Sequence, residues 1–461
     1  MRNTGAEPPS VRELCELIWS LEDDLELLSW QHGRHLPWPL VRNRLLTALS
    51  ERTGTQSPAH TVHRTRGAQA ALVARHTGAV VTRNPMLVRG PRRDVILVHP
   101  RKTAGTEWYT EQLRRELPEA LVLDSAINGI PLPSSHRLDF QISTAGMIGR
   151  LVSRVPALRR SWWGRDLARL EQVSDRIVEV TGHRVDVAAL ATRESVKHAL
   201  LRRWTRAVFK ALGTRRFFVV VGYFQQHWVG AAQDLGIEVI ELQHGVISPY
   251  HLGYSYPGRP AVGQHPDQLW AFGSFWPETV DLPGGMSSRV IGAAHLPRDL
   301  PHRVERDPNL VLVLSQGTVS SRLGSWAMAL RAQRPDLHVV FRLHPSERID
   351  PARRAELEAA GLEVSDGEDP RNSTGAATTY WWQARATWQL GVSSTALFEG
   401  MALGARTVVA GLAGHEYLTE AVARGDAVLV GEPSGLAEGL DLARPCPEPD
   451  RYYALPVAKL I

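Results

Sequence analysis

Thr387-Trp-Gln-Leu-Gly-Val-Ser-Ser-Thr-Ala-Leu-Phe-Glu-Gly400 decides how this chain is read. Residues 387–392 form a short, mostly apolar run, the pattern of a buried strand. Two serines and a threonine follow, and from about Ala396 the apolar spacing becomes helical. A strand passing through a hydroxyl-rich turn into a helix is the repeating unit of a parallel α/β sheet. The helix N-terminus presents unpaired N–H groups and the positive end of its dipole, so Ser393, Ser394 and Thr395 point to a bound anion. Plain N-capping accounts for one of these hydroxyls. Three in succession fit a phosphate better. Glu399, inside the same helix, is placed for a ribose hydroxyl or for solvent.

The alternation extends outward on both sides. Strands are expected at 310–315, 338–343, 362–364, 387–392, 407–410 and 427–430, with helices at 325–333, 351–360 and 396–403 between them. This makes residues 301–445 one Rossmann-like domain. Apolar runs at 94–100, 121–124, 216–222, 237–245 and 268–273, with a long arginine-rich helical region over 145–213, make residues 91–300 another. The polar, proline-rich stretch from Pro297 to Pro308 is the linker. Before residue 91 lies a helical segment. Leu14, Ile18, Leu21, Leu25 and Leu28 predict a helix from Val11 to Trp30 with Ser10 as its N-cap, and a turn is expected at Ser57-Pro58. Residues 446–461 form a tail. The fold class is therefore α/β: two Rossmann-like domains facing a cleft, with an additional helical N-terminal segment. Ligands bind outside the carboxyl ends of the strands in such sheets.

Composition narrows the function classes. The 461 residues suit two or three domains, and 43% hydrophobic with 22% charged residues is ordinary for a globular chain. The net charge of +5 is spread thinly and comes mostly from arginine. Without zinc-finger spacing, an RNP motif or a basic helix leading into heptads, it does not indicate nucleic-acid binding. It suits a phosphate-bearing substrate or an anionic membrane face. Cys15 and Cys446 stand at opposite ends, which excludes a disulfide framework or a cysteine metal site. There is no His-Glu-x-x-His, Walker A or Gly-x-Gly-x-x-Gly pattern, and neither Asp23-Asp24 nor Asp366-Gly-Glu-Asp369 makes a divalent-metal site. No metal and no cofactor are expected. Met1 to Ser10 lacks an apolar signal region, and no run of about eighteen apolar residues occurs. The expected location is cytoplasmic, with peripheral contact at the inner membrane face. The arginine-tryptophan stretches 151–165 and 201–206 suit an anionic bilayer, or equally a helix pair packing its apolar side on the sheet.

Two further strand ends in the carboxyl-terminal domain carry polar clusters. Ser315-Gln316-Gly317-Thr318 lets backbone N–H groups approach an anion, or is an ordinary turn. In Arg342-Leu-His344-Pro345 the proline ends the ladder and leaves the histidine at the sheet edge, to bind phosphate or protonate a leaving group. A structural histidine satisfied by backbone is the alternative. His99-Pro100 and His265-Pro266 repeat the dipeptide, so it carries little alone. Arg101 and Lys102 read as a solvated pair. Across the linker, Gln243-His244-Gly245 ends a strand and precedes a loop containing Tyr250 and Tyr254, a combination suited to sugar recognition and proton abstraction.

In this order and placement, the His-Pro and Ser-Ser pairs with Gln243-His244-Gly245 resemble the set in GT-B-fold transferases of bacterial surface polysaccharides. These are the sialyltransferases, polysialyltransferases, capsule Kdo transferases and CDP-glycerol glycerophosphotransferases. The resemblance covers about residues 215–430. It implies that His344, Ser393 and Ser394 contact the phosphates of a cytidine-activated donor. Sialyltransferases carry an acidic motif ending in glycine as base; Asp366-Gly367 has that form but follows His344. The His-Gly histidine of the glycerophosphotransferases matches His244-Gly245 better. The expected activity is metal-independent transfer of a glycosyl or polyol-phosphate group from a nucleotide-activated donor. Its acceptor would be a hydroxyl of a surface or capsular polysaccharide or of its lipid-linked precursor. A nucleotide-sugar 2-epimerase and a non-catalytic carbohydrate-binding scaffold are the alternatives.

Overall fold

Two all-parallel sheets organise the chain. The computed structural model describes residues 8–56, 82–88, 90–99, 102, 106–125, 132–133, 135–345, 347–367 and 378–461. The first sheet contains β1 (Asp94–Leu97), β2 (Leu121–Asp124), β3 (His136–Arg137), β4 (Arg216–Val220), β5 (Glu238–Leu242), β6 (Gln268–Ala271) and β7 (Ser287–Val290). Their order is β3-β2-β1-β4-β5-β6-β7. The second contains β8 (Asp307–Leu314), β9 (His338–Arg342), β10 (Glu363–Ser365), β11 (Ala386–Gly391), β12 (Arg406–Ala410) and β13 (Ala427–Val430), ordered β10-β9-β8-β11-β12-β13. Both orders reverse direction once, between β1 and β4 and between β8 and β11. This doubly wound topology is Rossmann-like, and each reversal opens a crevice at the carboxyl ends of the two strands.

The central strands are apolar because helices cover both faces. Leu310, Val311, Leu312 and Val313 are all fully buried, as are Phe217, Phe218 and Val219. Each such side chain contributes about 1.5–3 kcal/mol by leaving water. The expected strands agree with these to within three residues at either end, and 121–124 and 427–430 coincide. Two were not legible: β3 has only two residues, and β7 is an exposed edge strand, Ser-Ser-Arg-Val, without an apolar face. The 297–308 stretch holds a short helix (Leu300–Arg303), and β8 already begins at Asp307 within it.

The arginine-rich region is four helices, Asp139–Arg154, Pro156–Trp163, Leu167–Thr181 and Val187–Leu212. Pro156 starts the second, and Gly182 and Gly213 in left-handed conformation end the third and fourth. In the N-terminal segment, Ser10 and Glu13 form a reciprocal capping box on the helix Val11–Asp24. That helix stops before the expected Trp30, because Glu26 turns to φ 47° and the Leu27 N–H returns to the Glu22 carbonyl. The helices Val11–Asp24 and Arg42–Thr53 pack on Leu170, Val173 and Ile177 of the first domain. Ser57-Pro58, Pro100 and Arg101 lie outside the described residues.

The N-terminal segment also reaches the second domain, where the Glu416 carboxylate accepts from the Val11 N–H at 2.8 Å. The chain end crosses the other way. The Trp276 indole N–H donates to the Tyr452 carbonyl, and the Leu460 N–H reaches the Glu116 carboxylate at 2.8 Å.

Candidate active site in the interdomain cleft

Register places the second-domain residues. Val313 of β8 pairs with Leu390 of β11, so both strands stop at one level and release Ser315 and Ser393 on either side of the crevice. Gln316 spans it: its Oε1 accepts from the Ser393 N–H at 2.9 Å, and its amide lies 3.1 Å from the Ser393 hydroxyl. The two clusters expected from the sequence are thus brought together. The helix after β11 runs Thr395–Ala402, capped by the Ser394 hydroxyl, which accepts from the Ala396 N–H at 3.2 Å. Buried Gln389 fastens this helix, donating to the Leu397 carbonyl and to Thr407 Oγ1. A Cβ at Gly400 would lie 2.0 Å from Gln389 Oε1, so a side chain there would displace the Gln389 amide.

Ser315 has a different task. Its hydroxyl donates to the Glu347 carboxylate at 3.1 Å, whose second oxygen accepts from the His344 N–H at 3.2 Å. Glu347, only 6% exposed, therefore ties the Ser315 turn to the His344-Pro345 turn. Gly317 faces open space; Gln316, Thr318 and the His344 ring are half-buried, and Pro345 is exposed. β9 and β11 flank β8, so His344 and Ser393 stand on opposite sides of the Ser315 turn. Arg342 reaches sideways, donating to Ser365 Oγ at 2.9 Å and to the Asp366 carbonyl. Asp366 itself accepts from Arg354; Glu368 and Asp369 lie outside the described residues.

The facing wall comes from the first domain. Buried Gln243 braces its loop, donating to the Gly245 carbonyl and accepting from the Phe272 N–H, both at 2.8 Å. The His244 ring stacks on His99, which follows β1, with centroids 5.6 Å apart. The Tyr254 hydroxyl lies 2.7 Å from Glu241 Oε1 and 3.4 Å from His244 Nδ1. Burial pushes the Glu241 carboxyl up to about 7, and burial together with Glu241 raises the Tyr254 phenol. Tyr250 is engaged elsewhere: it stacks on Trp19 and lies under Arg12 of the N-terminal segment.

The walls meet. A Cβ on Gly245 would stand 3.3 Å from Thr395 Oγ1. Nearby, Glu399 accepts from the Tyr380 hydroxyl at 3.2 Å and lies 3.6 Å from His295 Nε2, and burial raises the Tyr380 phenol. The His295 ring packs on Phe272 and Tyr109. Glu241, Glu347, His295 and Tyr380 were not singled out in the sequence, and His99 entered only as a repeat of the His-Pro dipeptide. Only Glu241 carried a usable signal, a carboxylate inside an otherwise apolar strand.

No protein family model matches the chain, and no curated protein matches it either. Solved structures do. UDP-GlcNAc 2-epimerase from Neisseria meningitidis bound to UDP-GlcNAc is 12% identical with a TM-score of 0.42, covering 77% of this chain and 90% of that one. MurG from Acinetobacter baumannii is 10% identical with a TM-score of 0.44, covering 79% and 96%. The glycotransferase of kitacinnamycin is 15% identical with a TM-score of 0.44, covering 76% and 90%. These likenesses are loose, and no substrate or residue role passes from those proteins to this chain.

Proposed function

We propose that the cleft transfers a glycosyl or polyol-phosphate group from a nucleotide-activated donor to an acceptor hydroxyl. One observation carries this reading: the His244-Gly245 loop faces the N-terminus of the Thr395–Ala402 helix, close enough that a Cβ on Gly245 would stand 3.3 Å from Thr395 Oγ1. A proton acceptor thus faces an anion site across one crevice. The donor phosphates sit on the first-turn N–H groups at Thr395, with Ser393 and the Gln316–Thr318 loop beside them and His344 on the far side of β8. His244 takes the acceptor proton as the new bond to the transferred group forms. The nucleotide leaves as its phosphate, whose growing charge the N–H groups and His344 stabilise. Preorganised donors of this kind each contribute about 3 kcal/mol to a transition state. The resemblance of the His-Pro and Ser-Ser pairs suggests a cytidine-linked donor and a polysaccharide or lipid-linked acceptor.

The acceptor side suits a membrane surface. Residues 140–165 carry Arg150, Arg154, Arg159, Arg160 and Arg165 and no carboxylate, while Phe140, Met147, Leu151 and Leu158 are exposed. Cations beside exposed apolar groups fit an anionic lipid face. No helix among the described residues is long and apolar enough to cross a membrane. Failure to bind anionic vesicles at low salt would remove this part of the proposal.

A thermal-shift screen with CMP, CDP, UDP and GDP tests the donor class, since a nucleotide at 100 times its Kd adds about 2.7 kcal/mol of stability. Stabilisation by none of them would favour a binding scaffold. His244→Ala and His344→Ala should abolish transfer and keep the fold. Near-normal turnover in both would sink the reading.

A nucleotide-sugar 2-epimerase is the second reading, favoured by the Glu399, Tyr380 and His295 group, which offers a carboxylate beside the cleft. Incubation with donor alone separates the two, because an epimerase changes the sugar without an acceptor.

A further inference from the structure

Glu241 is a carboxylate buried to 1% exposure in the middle of the first sheet, a costly position unless something uses it. Its Oε1 accepts from the Gly222 N–H at 2.9 Å. A Cβ on Gly222 would lie 2.6 Å from its Oε2, so the carboxylate rests flat against that glycine. The preceding residue, Val221, holds φ 63°, a left-handed conformation that a β-branched residue adopts only under strain. The end of β4 is thus bent at the residue just before the one that donates this N–H.

The third partner is Tyr254. As a carboxylate, Glu241 only accepts, so the 2.7 Å contact uses the single proton of the Tyr254 hydroxyl. The Tyr254 oxygen then faces His244 Nδ1, 3.4 Å away, as an acceptor. A hydrogen bond there requires the proton on Nδ1, which leaves Nε2 with its lone pair. We infer that Glu241 and Tyr254 are positioning residues that hold His244 in the Nδ1–H tautomer, so that Nε2 receives the acceptor's proton. This rests on the proposed role of His244 as base. The proton moves from the acceptor hydroxyl to Nε2, and the imidazolium keeps its Nδ1–H on Tyr254. No further reactant enters. Tyr223, His251, His99 and Tyr109 also face this relay, and His251 Nδ1 is occupied, accepting from the Gly253 N–H at 3.2 Å.

Long-range proton–nitrogen NMR on the full chain with labelled histidine reads the tautomer directly, with His244→Ala identifying the signal. The wild type at pH 8 should show His244 protonated on Nδ1. Tyr254→Phe should move the proton largely to Nε2; Glu241→Gln, whose amide oxygen can still accept from the Gly222 N–H and the Tyr254 hydroxyl, should leave it on Nδ1. Tyr254→Phe should also lower kcat roughly 10- to 100-fold with donor KM unchanged and displace the acid limb of the pH profile. An Nε2–H tautomer in the wild type overturns the inference, and that measurement needs no variant to fold. So does an unchanged Nδ1–H tautomer in Tyr254→Phe. A tautomer as expected with full turnover in His244→Ala would instead refute His244 as the base and leave the relay standing.

Discussion

Gly245 faces Thr395 across the cleft: a Cβ on the first would stand 3.3 Å from the hydroxyl oxygen of the second. The two residues belong to different domains, and the absent side chain keeps open the space before the helix N-terminus. Gly245→Val should fill it. Nucleotide affinity measured by calorimetry is expected to fall at least about tenfold, near 1.4 kcal/mol, with little change in Tm. Unchanged affinity would place the nucleotide elsewhere.

Glu416 joins the N-terminal segment to the second domain, accepting from the N–H groups of Val11 and Gly414 at 2.8 Å each. Its charge also lies at the positive end of the helix Val11–Asp24. Glu416→Ala leaves those donors without this acceptor and should cost about 1–3 kcal/mol. Hydrogen exchange in residues 11–15 should quicken; exchange as slow as in the wild type would show that the segment is held by its packing alone.

Glu22 and Arg42 are an ion pair at 2.6 Å with 2% and 1% of their side chains exposed. Arg42 also donates to the Leu252 and Ser255 carbonyls and covers the Tyr256 ring. Removing one partner strands a buried charge, so Glu22→Ala should destabilise by about 3–5 kcal/mol in urea unfolding. A loss below about 1 kcal/mol would mean that Arg42 finds water or another partner.

Burial holds His35 and His251 near pKa 4 and His265 near 3, against 6.5 for the free group. Between pH 6.5 and 4 the unfolded chain takes up protons that these rings refuse, so stability is complete above pH 6.5 and falls as the pH drops. A histidine displaced from 6.5 to about 4 accounts for about 3 kcal/mol at most. Glu241 acts in the opposite sense. Its carboxyl is raised from 4.5 to about 7, so its contribution is full below pH 4.5 and is lost as the pH rises through 7. Tm measured between pH 4 and 8 should climb steeply to about 6.5 and then level. Glu241→Gln should raise the alkaline side only. A Tm flat down to pH 4 would contradict the neutral histidines.

The Ser10 N-cap, the apolar runs of β8 and β11, and a hydroxyl cap on the helix after β11 were legible because each depends on neighbours within a few residues. Spacing alone decides whether such a stretch can bury one face or cap a helix. The edge strands β3 and β7 were not, since a strand with little buried surface carries no apolar period.

Ser315 and Ser393 look alike in the sequence, each a hydroxyl at the end of an apolar strand. Tertiary structure separates them: Ser315 turns to buried Glu347, and Ser393 meets Gln316 at the crevice. Likewise, Tyr250 and Tyr254 stand four residues apart, yet one packs on Trp19 and the other joins Glu241 to His244. That the strands form parallel, doubly wound sheets was implicit in the regular alternation of elements. Which polar atom answers which partner was not, because a hydrogen bond is chosen by whatever long-range packing brings within about 3 Å. The meeting of Gly245 with Thr395, from separate domains, was therefore decided only when the two sheets closed on one another.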